Sequence, residues 1–241
     1  MTKKILILSA HNDDSTIGCG ATIKRFSKQG DEIHLLIFTD GYSARDPELQ
    51  INFKISTEIY NGIDNVNEFP FLDRRKLTLK ECELLGIKKF RCFNYPDNKM
   101  DSVPLLDIVR SIEKYMEDTN LVPDLVLTHN PWCLNIDHQQ VSKATITTFR
   151  GLEKFSKTKI MAYETLTSSE WNPLSDFKPN CYVDVSNDYF EVEKAFELYS
   201  DEMREVPNPR NWETKLAKMR LNGSECGVMF AERFMILREV L

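Results

Sequence analysis

The fold is set by the stretch Ile5-Leu6-Ile7-Leu8 and by the polar segment that follows it, Ala10-His11-Asn12-Asp13-Asp14. A short apolar run between charged and polar residues is typical of a buried strand in a parallel sheet. One imidazole and two carboxylates then occur within four residues, where the strand gives way to a loop. In open α/β sheets, ligands bind beyond the carboxyl ends of the strands. The stretch therefore predicts a parallel α/β sheet with a functional site at the end of its first strand.

A second polar segment is expected to meet the first. Asn135-Ile136-Asp137-His138 comes shortly after an apolar strand candidate, Leu125-Val126-Leu127. If both strands lie parallel in one sheet, the two polar segments converge on the same edge. The alternative is that each segment only caps the helix that follows it.

Strand and helix candidates alternate along most of the chain, which predicts a mainly parallel sheet covered on both faces. The predicted strands are 5–8, 32–39, 88–93, 125–129, 159–164 and 181–185, and the predicted helices are 16–29, 74–85, 105–117, 137–149, 190–204 and 210–221. We therefore expect a Rossmann-like α/β fold with helices on both faces and a helical C-terminal wrap, as one domain over residues 1–241. Residues 42–72 carry few periodic signals, and a loop of that length is often a lid or a specificity segment.

The composition is that of an ordinary globular protein, with 41% hydrophobic and 28% charged residues among 241. No apolar run approaches the roughly 18 residues of a membrane span, and no signal peptide precedes the first strand, which predicts a cytoplasmic protein. A net charge of −6 argues against non-specific binding to nucleic acid or membranes. The six cysteines form no CxxC pair, so free thiols are expected.

The two polar segments together contain a candidate metal site. A catalytic zinc ion keeps three protein ligands, commonly His and Asp or Glu, and one open position for water. His11, Asp14 and His138 would supply two imidazoles and one carboxylate. The chain has four histidines, and two of them stand beside carboxylates at strand ends. For any single histidine a hydrogen-bonded structural role is the alternative, and we favour it for His34, which lies inside a strand pattern.

Two further carboxylates would serve such a site. Asp13 lies next to a ligand and could take a proton from a metal-bound water, so that hydroxide attacks a carbonyl carbon. Asp137 could orient His138 through the other nitrogen of its ring, as carboxylates behind metal ligands do. The alternative role for Asp137 is a helix N-cap.

Two rival motifs are weaker. Gly18-Cys19-Gly20 with Asp40 resembles a dinucleotide-binding fingerprint, but the third glycine is missing and seven residues separate Ala10, after the strand, from Gly18. The glycines are then expected inside a helix, where they permit close packing. Cys133 lies between two histidines, where a thiolate role is conceivable, but a place in the pocket wall is the favoured interpretation.

With these residues in view, the chain resembles the PIG-L/LmbE-type zinc-dependent N-acetylsugar deacetylases. That family opens with A-H-P-D-D-E after its first strand, then a G-C-G-G-type helix start, and later has x-x-D-H at the start of another helix. The resemblance is strongest to the branch found with bacterial surface-polysaccharide genes. By position it implies that His11, Asp14 and His138 bind the metal and that Asp13 is the general base. Zn²⁺ is the expected ion, although Fe²⁺ suits the same ligands.

The chain departs from the family motif at three positions. Asn12 replaces the proline and Ser15 the glutamate, and both stand beside expected ligands. Asn135 stands where other branches have a histidine that helps to stabilise the oxyanion. An amide can donate a hydrogen bond there but cannot supply a proton. The proton for the leaving amine would come from protonated Asp13, or from His129 if it points into the pocket; a structural role for His129 is the equal alternative.

The resemblance implies a metal-dependent hydrolase that removes an N-acyl group, most simply acetyl, from an amino sugar or a sugar nucleotide. Its partner would be that small molecule, and the oligomeric state is left open, with a homo-oligomer compatible with the sequence. Candidate substrate-binding residues are Asp40, Arg45, Asp97, Trp132 and Trp171. The alternatives are a catalytically silent family member that binds a sugar, and a protein that binds a nucleotide cofactor.

Overall fold

The computed structural model describes residues 2–39, 41, 72–174 and 176–241. Its strands are β1 (Lys4–Ser9), β2 (Glu32–Thr39), β3 (Lys89–Tyr95), β4 (Leu125–His129), β5 (Lys159–Tyr163), β6 (Cys181–Asp184) and β7 (Ala231–Arg238). Within these residues the helices are α1 (Asp14–Lys28), α2 (Leu72–Leu85), α3 (Leu105–Asp118), α4 (Ile136–Thr148), α5 (Tyr189–Glu197) and α6 (Trp212–Cys226). Most of the segment predicted to be a lid or specificity loop lies outside the described residues.

The seven strands form one sheet in the order β3-β2-β1-β4-β5-β7-β6. Strands β1 to β5 run parallel, and β7 runs antiparallel to both β5 and β6. The predicted α/β class with a mainly parallel sheet is therefore confirmed. The chain leaves β1 towards β2 on one side, whereas β4 pairs with the other side of β1. This reversal of direction is the topological switch point at which α/β proteins bind their ligands.

Strand β1 is buried on both faces, as its continuous apolar run predicts. Ile5 and Ile7 face a core shared with α1, α2, α5 and α6, and Leu6 and Leu8 face a second core formed with α3 and α4. All four side chains are fully buried. Each contributes about 1.5–3 kcal/mol through its burial, which anchors the strand that leads into the polar segment.

The C-terminal wrap differs from its prediction in two elements. The helix expected to reach residue 204 ends at Glu197, and residues 231–238 form strand β7, which we did not predict. Strand β7 pairs Ile236 with Met161 of β5, and Glu232 with Val183 of β6. Its partners lie far away in the sequence, so no local turn signal marks it. None of the helices among the described residues is both long enough and apolar enough to cross a bilayer.

Gly18 allows α1 to pack closely on the sheet, as we predicted. A Cβ atom at Gly18 would lie 2.3 Å from Cδ2 of Tyr163 on β5. Tyr163 is fully buried, and its hydroxyl donates a hydrogen bond to the Leu8 carbonyl at 2.9 Å, so the ring cannot move aside. Gly18 therefore faces a buried aromatic ring rather than a phosphate-binding turn.

Gly18→Ala is expected to lower the free energy of unfolding by about 1–3 kcal/mol, because the added methyl overpacks this contact. Urea unfolding followed by circular dichroism measures the change. Gly151→Ala is the matched control, because a Cβ there meets no atom within 4 Å. Equal stabilities of the two variants would contradict the predicted clash.

Candidate active site

The loop after β1 is tied to the strands on both sides of it. The Ala10 carbonyl accepts hydrogen bonds from the backbone N–H and the hydroxyl of Thr39, both at 2.9 Å. The Ala10 N–H donates to Nε2 of His129 at the end of β4, at 2.9 Å. The backbone at the carboxyl end of β1 is therefore fixed by β2 and β4 before any ligand is bound.

Three potential ligand atoms meet at this edge of the sheet. Nδ1 of His11 lies 3.1 Å from Oδ2 of Asp14 and 3.2 Å from Nε2 of His138. Nε2 of His138 lies 3.2 Å from Oδ2 of Asp14, which closes a nearly equilateral triangle. His11 comes from the loop after β1, Asp14 is the first residue of α1, and His138 lies in the first turn of α4. The two polar segments thus converge as their strand positions predicted.

The triangle fits a divalent metal ion. Tetrahedral Zn²⁺ with bonds of about 2.0–2.1 Å places its ligand atoms about 3.3 Å apart, close to the distances found here. Asp14 is fully buried, and its Oδ1 atom has no hydrogen-bond partner among the described residues. Burying a carboxylate with an oxygen that lacks a donor is costly, and a cation bound beside Asp14 would compensate the buried negative charge. Two imidazoles and a carboxylate are also a donor set that zinc and ferrous iron accept.

The electrostatics of the triangle also favour a cation. Burial alone would raise the pKa of Asp14, but His138, His11 and His129 outweigh it and hold that pKa well below its usual range. Burial disfavours the charged form of His138, yet Asp14 and Cys133 raise the pKa of its imidazole to about 9. Despite its burial, the pKa of His11 is likewise raised by Asp14, so the ionised Asp14 favours the protonated forms of His11 and His138. A metal ion replaces those protons, since only deprotonated ligands bind it.

Two carboxylates orient His11 from behind. Its Nε2 atom lies 3.1 Å from Oδ2 of Asp137 and 3.1 Å from Oδ1 of Asp97. Asp137 is fully buried and accepts backbone N–H bonds from Asn98 at 2.6 Å and Met100 at 3.0 Å. We predicted that Asp137 orients His138, and this was wrong because the carboxylate points to the other imidazole. Such carboxylate–histidine contacts fix the ring and its tautomer.

His138 has a different partner, which the sequence did not indicate. Sγ of Cys133 lies 3.1 Å from its Nδ1 atom, and Cys133 is 5% exposed. The thiol belongs to the support of the triangle rather than to the pocket wall that we expected. The N-cap of α4 is Asn135, whose side-chain oxygen accepts from the backbone N–H groups of Asp137 and His138. The alternative assignment of Asp137 as the N-cap was therefore also wrong.

His129 stacks beneath the triangle. Its ring is fully buried and lies 3.9 Å from the ring of His138, centroid to centroid. Its Nε2 accepts the Ala10 N–H, which leaves the proton on Nδ1, a buried atom without a partner among the described residues. Burial, reinforced by His138, lowers the pKa of His129 well below its ordinary value. This placement favours the structural role over proton delivery.

Arg210 is a residue of this site that our sequence analysis missed. Its Nη2 atom donates to Oδ2 of Asp13 at 2.6 Å. Asp13 is 4% exposed and lies beside the triangle, whereas Arg210 arrives from the C-terminal wrap. Arg210 follows Pro207-Asn208-Pro209 in the segment between α5 and α6. The position of this segment in the sequence does not indicate that Arg210 contacts Asp13, which follows β1.

A polar cavity opens above the triangle. It is lined by acidic, basic and amide side chains, among them Asp13, Arg74, Asp97, Asn98, Asn135 and Arg210. Trp132 and Trp171 do not line it; they are 44% and 57% exposed, on loops joined by a hydrogen bond from Asn172 to the Trp132 carbonyl. Asp40 and Arg45 lie outside the described residues. The cavity thus gives a ligand access to the triangle and offers it many hydrogen-bonding groups.

Comparison with protein families gives a match over the part of the chain that holds the triangle. A family model described as PIG-L: GlcNAc-PI de-N-acetylase matches residues 6–149. Among curated proteins, the diacetylchitobiose deacetylase of Thermococcus kodakarensis is 27% identical over 193 residues. That alignment covers 77% of this chain and 64% of the relative, so the chain spans less than two thirds of that protein's length.

Solved structures agree in fold. An N,N'-diacetylchitobiose deacetylase from Pyrococcus horikoshii superposes with a TM-score of 0.70 at 23% identity, over 98% of this chain and 84% of the other. A 4-carboxy-2-hydroxymuconate hydratase from Pseudomonas putida superposes with a TM-score of 0.69 at 15% identity, over 100% and 98% of the two chains. Since a deacetylase and a hydratase share this fold, the fold alone does not decide the chemistry.

Proposed function

The chain belongs to the PIG-L family of de-N-acetylases, and from that premise we propose that it is a metal-dependent hydrolase that removes an acetyl group from the nitrogen of an amino sugar or a sugar nucleotide. The ligands in this proposal are His11, Asp14 and His138. Zn²⁺ is the proposed ion, and Fe²⁺ is the alternative that the same donor set accepts. The proposal includes a cytoplasmic location and a small-molecule substrate.

A divalent ion in the triangle would supply a Lewis acid that polarises the amide carbonyl and makes water a better nucleophile. Asp13 takes one proton from the attacking water as the C–O bond forms. The side-chain amide of Asn135 donates a hydrogen bond to the oxyanion that develops. Asp13 then returns the proton to nitrogen as the C–N bond breaks, which gives a free amine and acetic acid; the acid keeps the second proton of the water and loses it to solvent to become acetate. Asp13 performs both transfers because His129 has no proton on its Nε2 atom.

The observation that carries this proposal is the triangle of ligand atoms, with separations of 3.1–3.2 Å, beside Asp13 and beneath an open cavity. The polar lining supports a substrate with many hydroxyl groups rather than an apolar one. The same features support turnover over the alternative of a silent sugar-binding protein, because the ligands and the proposed base are all present.

The direct test combines metal analysis with an assay of acetate release. Purified protein would be analysed for bound metals, loaded with Zn²⁺ or Fe²⁺, and incubated with N-acetylglucosamine, N-acetylgalactosamine, a UDP-linked N-acetylsugar and diacetylchitobiose. We expect acetate and free amine in equal amounts from at least one of them. Metal-loaded protein that binds these sugars and hydrolyses none would instead support the silent alternative.

Arg210→Ala is expected to lower kcat by roughly 10²-fold, because Asp13 loses the guanidinium that fixes its carboxylate and small misplacements are costly. The kcat of Arg210→Lys is expected to lie between those of wild type and Arg210→Ala, since an ammonium group keeps the charge but not the planar guanidinium geometry. Steady-state kinetics separates kcat from KM. Arg204→Ala is the matched control, because Arg204 is exposed and donates to backbone carbonyls in the same segment. Equal kcat values for Arg210→Ala and wild type would remove Arg210 from the mechanism.

A further inference from the structure

The two residues next to the ligands that differ from the family motif both bind the same helix. Nδ2 of Asn12 donates to Oγ1 of Thr78 at 2.8 Å, and Oγ of Ser15 donates to Oε1 of Glu81 at 2.6 Å. Thr78 and Glu81 lie three residues apart on α2, and so one above the other on one face. Asn12 is 4% exposed and the other three side chains are fully buried. The segment that carries His11 and Asp14 is thus held on α2 at two points.

Glu81 is the centre of this contact. Its Oε1 also accepts the Thr16 hydroxyl at 2.7 Å, and its Oε2 accepts the hydroxyl of Tyr199 at 2.7 Å. One buried carboxyl group therefore joins the first turn of α1 to α2 and to the segment after α5. Burial raises the pKa of Glu81 to about 7, against the opposing effect of the three hydroxyl donors. Without Glu81, three buried hydroxyl groups would lose their acceptor.

We propose that Thr78 and Glu81 are positioning residues that replace the proline and glutamate missing from the motif and hold His11 and Asp14 in ligand geometry. The proposal rests on the metal site of the proposed function. The side chain at position 15 points directly at the Glu81 carboxyl group, so a glutamate at 15 and one at 81 would compete for the same buried space. The protein accordingly needs a carboxyl group from one of the two positions. On this account the changes at Asn12 and Ser15 are compensated by Thr78 and Glu81 on α2, and they do not indicate that the site has lost its function.

The test measures Co²⁺ affinity, by chelator competition, and the visible absorption of bound Co²⁺, which reports ligand geometry. The variants are Glu81→Ala, Ser15→Glu and the double variant Ser15→Glu/Glu81→Ala, with kcat for acetate release as a second measurement. We expect each single variant to lose about tenfold in Co²⁺ affinity, a loss typical of partners behind metal ligands. The double variant is expected to regain nearly wild-type affinity, spectrum and kcat. Glu83→Ala, an exposed acid on the same helix, is the matched control and is expected to change nothing.

Glu81→Ala with wild-type affinity and spectrum would overturn the proposal, and so would a double variant that binds Co²⁺ no better than Glu81→Ala alone. If Glu81→Ala does not fold, the double variant still decides, because the proposal requires it to fold and bind. A purely structural role for Glu81 does not predict rescue of the Co²⁺ spectrum by a glutamate at position 15. Since affinity is measured without substrate, the result stands even if wild-type protein releases no acetate, an outcome that would contradict the deacetylase proposal instead.

Discussion

Asp13→Asn is expected to bind metal as well as wild type and to lower kcat by about 10²–10⁴-fold, the usual contribution of a general base. The three ligand atoms of the triangle belong to His11, Asp14 and His138, so metal binding does not depend on the Asp13 carboxylate. An amide is nearly isosteric with a carboxylate but cannot take a proton from water. Metal analysis and acetate release on the same preparation would measure both effects.

Two comparisons sharpen this prediction. Asp101→Asn changes an exposed carboxylate outside the cavity and is expected to leave both quantities unchanged. The double variant Asp13→Asn/Arg210→Ala is expected to be no slower than Asp13→Asn alone, because Arg210 acts through Asp13. Turnover near the wild-type rate in Asp13→Asn would exclude Asp13 as the base, and loss of metal would show that it helps to bind the ion.

His138→Ala is expected to weaken metal binding by more than about 100-fold. This exceeds the loss caused by removing a side chain that only hydrogen-bonds to a metal ligand. The variant keeps only two of the three ligands, His11 and Asp14, and two protein ligands are too few for a tetrahedral site. Acetate release is expected to fall below detection at the metal concentrations that saturate wild type. Equilibrium dialysis with Zn²⁺ measures the affinity.

His34→Asn is the matched control for His138→Ala. His34 is 1% exposed, and its ring nitrogens lie 2.8 Å from the Tyr115 hydroxyl and 3.0 Å from Glu32, the structural role that we predicted. The control removes a buried imidazole away from the triangle, so we expect lower stability with unchanged metal content. If His138→Ala binds Zn²⁺ as tightly as the control does, His138 is not a ligand.

The parts of the site that follow from local sequence were predictable. The apolar run of β1 and the polar residues after it placed His11 and Asp14 at a strand end, and the position of His138 after β4 placed it at the same edge. The direction of side chains within those loops was not predictable, so Asp137 was assigned to the wrong histidine. Sequence separation also concealed Arg210, because its position in the chain is 197 residues after that of Asp13.

Strand β7 was not predicted for the same reason. Each pairing of β7 joins segments remote in sequence, so its apolar residues give no sign of their partners. The contact of Glu81 with Ser15 is similar, since α2 shows no motif of its own. In both cases the chemistry of each residue was visible and its partner was not. Local pattern therefore predicted where the ligands lie, and only the tertiary structure identified the groups that hold them.

The pairing of β6 through β7 has a consequence for biosynthesis. Among the described strands, β6 pairs with β7 alone, and β7 follows all the other described strands and helices in the sequence. During translation, the five parallel strands leave the ribosome before β7 does. Strand β6 has no partner until β7 has been synthesised. A chain that is terminated before β7 therefore retains the ligand histidines but leaves β5 as an unpaired sheet edge and β6 without a partner. Quality-control chaperones and proteases can recognise such an edge.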